Sequence, residues 1–310
     1  MSQVVQLLFT VFALVVVSNN IYASNINDIY SDSKVIYGVD NRVEFSASNP
    51  IYKEWAKSTA AMIPKERLIP SKDFGLNFTI SPSEDDMTKM FCEGESFKDQ
   101  VTAANCSGFL VAPDIIITAG HCYADKETAC SKFQWVFGYS DENASLKEKG
   151  EKIYSIKSKD IYSCKEVINQ RLDEPTSTTM IDFSVIRLDR PVVDRTPLKF
   201  RKEGKIADNA EVIVIGHPTG LPLKIADSAK LRKNDHDNFF VANLDTFAGN
   251  SGSAVLDAKT GVVEGILVRG DIDYDLDFEK YCYKVRVCES DACRGEDSTR
   301  ITVVPELSKL

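Results

Sequence analysis

From Gln100 onward the chain is broken into short runs of β-branched and aromatic residues: GFLV, DIIITA, KFQWVFGY, EKIYSI, DFSVIRL, AEVIVIG, NFFVANL, GVVEGILV and RITVV. Turn-forming residues separate nearly all of them, and helical periodicity is scarce. Side chains branched at Cβ fit a pleated surface better than a helix. Many short strands at close spacing satisfy their backbone groups most readily by closing into barrels or sandwiches. An all-β architecture is therefore expected, and a stretch of about 200 residues has room for two barrels.

The first 99 residues are less regular. The apolar run LLFTVFALVVVS, followed by Asn19 to Ala23, reads as a signal peptide over 1–23, although no Lys or Arg precedes it. Residues 24–34 are expected to be a short propeptide and 35–99 a segment leading into the first barrel. That barrel is placed at 100–195, and the second, with a C-terminal tail, at 196–310. Residues 1–23 carry no charge, so the balance of 37 basic against 46 acidic residues, −9, survives loss of the signal. An acidic exported chain is not expected to seek nucleic acid or an anionic membrane. Its eight cysteines, an even number, are expected in disulfides. The three histidines, His121, His217 and His236, stand near no Cys-x-x-Cys pair, so neither a metal nor another cofactor is expected.

Three stretches carry candidate chemistry. In NLDTFAGNSGSAV, Asn243 to Val255, two apolar runs are interrupted by small residues, with Gly249 and Gly252 flanking Ser251. Glycines on both sides of one serine suit a tight turn that exposes its hydroxyl and leaves neighbouring N–H groups available. CSGFLVAPDIIITAGHC, Cys106 to Cys122, reads as strand, Pro-Asp turn, strand, and a small-residue turn ending at His121. MIDFSVIRLDRPV begins a strand with Asp182 between Ile181 and Phe183, where a carboxylate is costly to bury unless a donor such as an imidazole N–H meets it. Each alone has an ordinary structural explanation. Together they supply nucleophile, base and orienting acid in the order His, Asp, Ser.

Thr118-Ala119-Gly120-His121-Cys122, Asp182-Phe-Ser-Val-Ile-Arg-Leu and Gly249-Asn250-Ser251-Gly252-Ser253 resemble the three active-site motifs of the trypsin/chymotrypsin clan. The last is closer to the bacterial glutamyl endopeptidase-like branch than to the animal digestive enzymes. The resemblance implies two six-stranded barrels with the site in the cleft between them, protein or peptide substrates, and protein inhibitors as further partners. It implies His121 as general base, Asp182 as its orienter, Ser251 as nucleophile, and the N–H groups of Gly249 and Ser251 as oxyanion hole. Cys106 and Cys122 match the disulfide around the histidine loop.

The same resemblance makes Lys34-Val35-Ile36-Tyr37-Gly38 similar to an activation junction. Asn250 stands where the digestive enzymes have the aspartate that captures the new amino terminus. Asp245, six residues before Ser251, takes the place of the acid that binds Lys or Arg at the base of the primary pocket. Arg269, in GILVRGD, falls on the expected pocket wall, where it could pair with Asp245. Ile266, Leu267 and Val268 supply no histidine of the kind glutamyl endopeptidases carry there, so cleavage after basic residues is the expectation. A competing reading is a silent member of the fold that binds a partner through the same cleft. His217 and His236 are expected in structural and solvated turns, and the alternating RGDIDYDLDFEKY in a half-exposed ribbon. Cys130 is expected to pair with Cys164, and Cys92, Cys282, Cys288 and Cys293 among themselves.

Overall fold

The computed structural model describes residues 35–72, 76–84, 86–146, 152–174 and 176–310. The expected signal peptide and propeptide lie outside them. Two closed barrels of six strands each organise the chain. Around the first, Thr59–Pro64, Cys106–Ala112, Ile115–Thr118, Asp182–Leu188, Ile161–Leu172 and Phe133–Phe137 pair in turn, and the last closes on the first. Around the second run Glu211–Gly216, Ala254–Asp257, Val263–Arg269, Glu296–Arg300, Phe239–Ala242 and Lys224–Lys233, which returns to Glu211–Gly216. Every pairing within the two rings is antiparallel.

Strand side chains alternate between faces, and here both faces are buried for different reasons. Ile116 and Ile186 point into the first barrel beside Trp135 and Phe137, while Ile115, Ile117, Phe183 and Val185 point outward into a second core. From the other barrel, Val212 and Val214 face its interior, whereas Ile213 and Ile215 join that same shared core. The continuous apolar runs in the sequence are thus strands with a barrel interior on one side and the other barrel on the other. Asp182 opens one of these interface strands.

Residues 35–99 contribute more than a lead-in. Thr59–Pro64 is a fully buried strand of the first barrel. Its small Ala60 and Ala61 lie opposite Gly108 and Ser107, Ala60 in a layer filled by Trp135 and Phe137 and Ala61 in one filled by Tyr139 and Tyr154, so the strand carries little of the β-branched signature. Arg42–Glu44 joins the edge of the second barrel by pairing with Lys224–Lys233, and Ile36–Tyr37 runs parallel to Val287–Cys288. At the other end, RITVV is not a strand. The strand is Glu296–Arg300, and Ile301–Val303 forms a 3-10 turn. Glu296, Asp297 and Arg300 are buried with polar partners, which is why a barrel strand here reads as charged sequence.

From EKIYSI, the run beginning at Lys152 lies outside both rings. It forms Lys152–Lys157 in a four-stranded sheet with Leu68–Pro70, Asn77–Ile80 and Ala144–Leu146. The acidic ribbon is a hairpin, Tyr274–Asp277 against Cys282–Val285. Four disulfides, Cys92–Cys282, Cys106–Cys122, Cys130–Cys164 and Cys288–Cys293, consume all eight cysteines. Among the described residues no helix is long and apolar enough to cross a membrane.

Candidate active site

His121 starts a 3-10 turn just beyond Ile115–Thr118, and Asp182 starts the strand paired with Ile115–Thr118, so antiparallel pairing brings the two together. The imidazole Nδ1 lies 2.7 Å from Asp182 Oδ2. Asp182 Oδ1 accepts the backbone N–H of Gly120 and, at 3.1 Å, that of His121. The carboxylate is 2 % exposed. Burial pushes its pKa up, but the hydrogen bond and charge of His121, with the guanidinium of Arg269, hold it below the ordinary carboxylate range. Asp182 is thus ionised at neutral pH, with its two oxygens directed at one loop.

The serine turn meets this pair from the second barrel. Gly249 and Gly252 have φ of +89° and +85°, where an L side chain is strained. A Cβ on Gly252 would lie 2.1 Å from Thr118 Oγ1 and 2.2 Å from the Ser107 carbonyl, so only glycine lets the turn approach the histidine loop this closely. Ser251 is 4 % exposed, where the glycine-flanked turn suggests an exposed hydroxyl. Its carbonyl accepts the N–H of Ser107 at 2.8 Å and lies 3.7 Å from Cys122 Sγ, beside His121.

Two residues with no evident signature of their own hold these parts. Ser107, fully buried, donates its hydroxyl to the Gly249 carbonyl at 2.8 Å and accepts the His217 N–H at 2.9 Å. It therefore ties the first barrel to both ends of the Gly249–Ser251 turn. Gln170, on Ile161–Leu172, donates its amide to the carbonyls of Gly120 and Tyr123 at 2.6 and 2.7 Å, clamping the histidine turn from behind. Their signals in sequence are only a hydroxyl beside Cys106 and an amide in a polar strand.

The residues expected to form a primary pocket are not brought together. Asp245, 4 % exposed, accepts the backbone N–H of Tyr37 at 2.7 Å and that of Asn41 at 2.9 Å. Both of its oxygens are committed to the segment that holds Tyr37 and Asn41. Asn250 does not reach that segment through its Oδ1, which accepts the Ser253 hydroxyl at 3.3 Å. Arg269 pairs instead with Asp297 and faces Asp182. Burial pushes the Asp245 carboxyl up to about 6, against the lowering effect of the two amides. The folded chain then binds more protons than the unfolded chain between the two pKa values. Stability from this group is complete below about pH 4 and is lost as pH rises through about 6. In denaturant titrations, the wild-type minus Asp245→Asn difference in unfolding free energy is expected to fall by about 2–3 kcal/mol between pH 4 and pH 7. A flat difference would mean that this carboxyl titrates normally.

The other histidines have different settings. His217 is buried, its Nδ1 3.0 Å from the Leu221 carbonyl, and burial drives its pKa down to about 3, so it stays neutral. His236 is half-buried, with Nε2 3.0 Å from the Thr178 carbonyl. Among the described residues, the groups of ligating side chains close enough for a metal are Cys106–His121–Cys122 and Cys92–Asp277–Cys282. In each, the two cysteines are joined in a disulfide.

Residues 106–266, from the disulfide-bonded strand through Ser251 to the strand beyond it, match the model of the trypsin-like peptidase domain. The chain belongs to the trypsin-like peptidase family. Among solved structures, a Vibrio cholerae VesB protease is similar at a TM-score of 0.50 and 13% identity, over 87% of this chain and 66% of that one. A Glu endopeptidase in complex with MPD is similar at a TM-score of 0.50 and 16% identity, over 89% of this chain and 100% of that one. At these identities the likeness is one of fold, the double barrel shared by peptidases of this family. No curated sequence matches the chain.

Proposed function

We propose that the protein is an exported serine endopeptidase that works through His121, Asp182 and Ser251. The observation that carries this reading is the 2.7 Å contact between His121 Nδ1 and the buried, ionised Asp182, with the Ser251 turn packed against the same loop. A proton held on Nδ1 by Asp182 leaves Nε2 as the basic nitrogen. Nε2 takes the Ser251 hydroxyl proton as Oγ attacks the peptide carbonyl carbon, and the N–H groups of Gly249 and Ser251 receive the negative oxygen. His121 then gives its proton to the leaving amine as the C–N bond breaks, and water releases the acyl group by the same route. Export accords with the apolar amino-terminal run and with the absence of any unpaired cysteine among the described residues.

Cleavage after Lys or Arg rested on Asp245 reaching a substrate side chain. Because that carboxylate is engaged by Tyr37 and Asn41, the proposal assigns the primary specificity to no single acid. Fluorophosphonate labelling of the secreted protein, with amino-terminal sequencing and a peptide-library digest, tests the reading. Labelling confined to Ser251 with peptide cleavage is expected, and the digest reads the specificity directly. Absence of labelling on a chain beginning at Val35 would favour the silent binder.

A further inference from the structure

Arg269 is the last residue of Val263–Arg269 in the second barrel, and its side chain is 11% exposed. Its guanidinium touches three elements. Nη2 donates to the Met180 carbonyl at 3.0 Å, Nε donates to Asp297 Oδ2 at 3.3 Å, and Nη1 stands 3.9 Å from Asp182 Oδ2. That last oxygen is the one that meets His121 Nδ1. A shift of register between Leu267 and Arg269 sets Arg269 opposite Asp297 on Glu296–Arg300. Met180, two residues before Asp182, has φ of +47°, a left-handed conformation unusual for a non-glycine residue. We infer that Arg269 is a positioning residue of the catalytic triad: it fixes the entry of the Asp182 strand across the cleft and supplies the standing positive charge that Asp182 faces when His121 is neutral.

The charges around it support this division of labour. Asp297 already has a second cation, Arg294, whose Nη2 donates to the same Oδ2 at 2.6 Å. Arg294 thus shares Asp297 with Arg269, whose guanidinium also faces Asp182. Asp182 in turn faces the Gly120 and His121 N–H groups, the His121 ring and Arg269. Before the reaction the ring is neutral, and among those partners only Arg269 carries a full charge. A lysine could bring the charge but not the planar fork that reaches a carbonyl and two carboxylates at once. The cation has an opposing effect on the protonated enzyme, because it competes with imidazolium for Asp182.

This inference rests on the triad reading, and the experiment separates the two. Wild type, Arg269→Met, Arg269→Lys and Asp297→Asn are each assayed from pH 5 to 9 for the second-order rate of fluorophosphonate labelling and for kcat/KM on a peptide. Thermal unfolding of each is followed in parallel. In Arg269→Met the acid limb is expected to move up by about 0.5–1 pH unit, which lowers the rate at pH 6 by up to about three- to tenfold beyond any loss at the plateau. Arg269→Lys is expected to restore the limb towards wild type while the plateau rate stays low. Asp297→Asn removes an anion beside Arg269, and its limb is expected to move down. A uniform loss at every pH with the limb unmoved would reduce Arg269 to a structural strap and overturn the inference. If Arg269→Met fails to fold, the downward displacement expected in Asp297→Asn still decides it, and an unmoved limb in that variant overturns it. A wild-type protein that neither labels nor cleaves would instead refute the triad reading itself.

Discussion

Replacing Ser251 by alanine is expected to lower kcat by about 10⁴–10⁶-fold and to abolish fluorophosphonate labelling, while the folded structure persists. The size of the loss follows from what one oxygen does. With Oγ absent no acyl-enzyme can form, and the residual rate is what a positioned water and the N–H groups of the turn can supply, about 10³–10⁴ over the uncatalysed reaction. The fold is expected to survive because the turn is held by its backbone. The Ser251 carbonyl is fixed by the Ser107 N–H at 2.8 Å, the Gly252 N–H donates to the Leu267 carbonyl at 2.8 Å, and the Asn250 N–H to the Phe247 carbonyl at 2.9 Å. Burst kinetics on a peptide ester, together with the unfolding midpoint, check both halves. Turnover within tenfold of wild type would remove Ser251 from its role, and a collapsed midpoint would place it among the residues that hold the turn.

The parts of the site that could be read from sequence are those whose chemistry is concentrated in a few consecutive residues. The glycines around Ser251 and the small residues before His121 announce tight turns, and Asp182 between two apolar residues announces a buried acid in need of a donor. The barrels are legible for a related reason, since both faces of strands such as Ile115–Thr118 and Glu211–Gly216 are buried and the apolar runs are unbroken. What stayed hidden depends on partners far along the chain. Asp245 was assigned by its offset from Ser251, but its partners Tyr37 and Asn41 lie 208 and 204 residues away. Ser107 and Gln170 act through hydrogen bonds to backbone groups, which any polar side chain can make and no spacing reveals. Glu296–Arg300 defeats the pattern from the other side, because a strand whose charged side chains are buried against polar partners looks, as sequence, like one meant for solvent.

Asp182→Asn tests the geometry more sharply than the serine variant, because it changes no volume and removes no nucleophile. An amide has one accepting and one donating end. The Oδ1 position of Asp182 is met by the N–H groups of both Gly120 and His121, so the amide oxygen must stay there to avoid setting NH₂ against two donors. The NH₂ is then forced towards His121 Nδ1, where the structure has 2.7 Å between the ring and Oδ2. To accept that hydrogen bond Nδ1 must be unprotonated, and the ring proton moves to Nε2, the nitrogen that has to receive the serine proton. The same NH₂ would face the Arg269 guanidinium, now 3.9 Å from Oδ2, with no charge to offset it. A fall in kcat of about 10⁴-fold with KM little changed is therefore expected at neutral pH. The labelling rate should fall in parallel, because the nucleophile is intact but its base is in the wrong tautomer. A loss below about tenfold would mean that Asp182 does not set the tautomer, and that the two backbone N–H groups alone orient the loop.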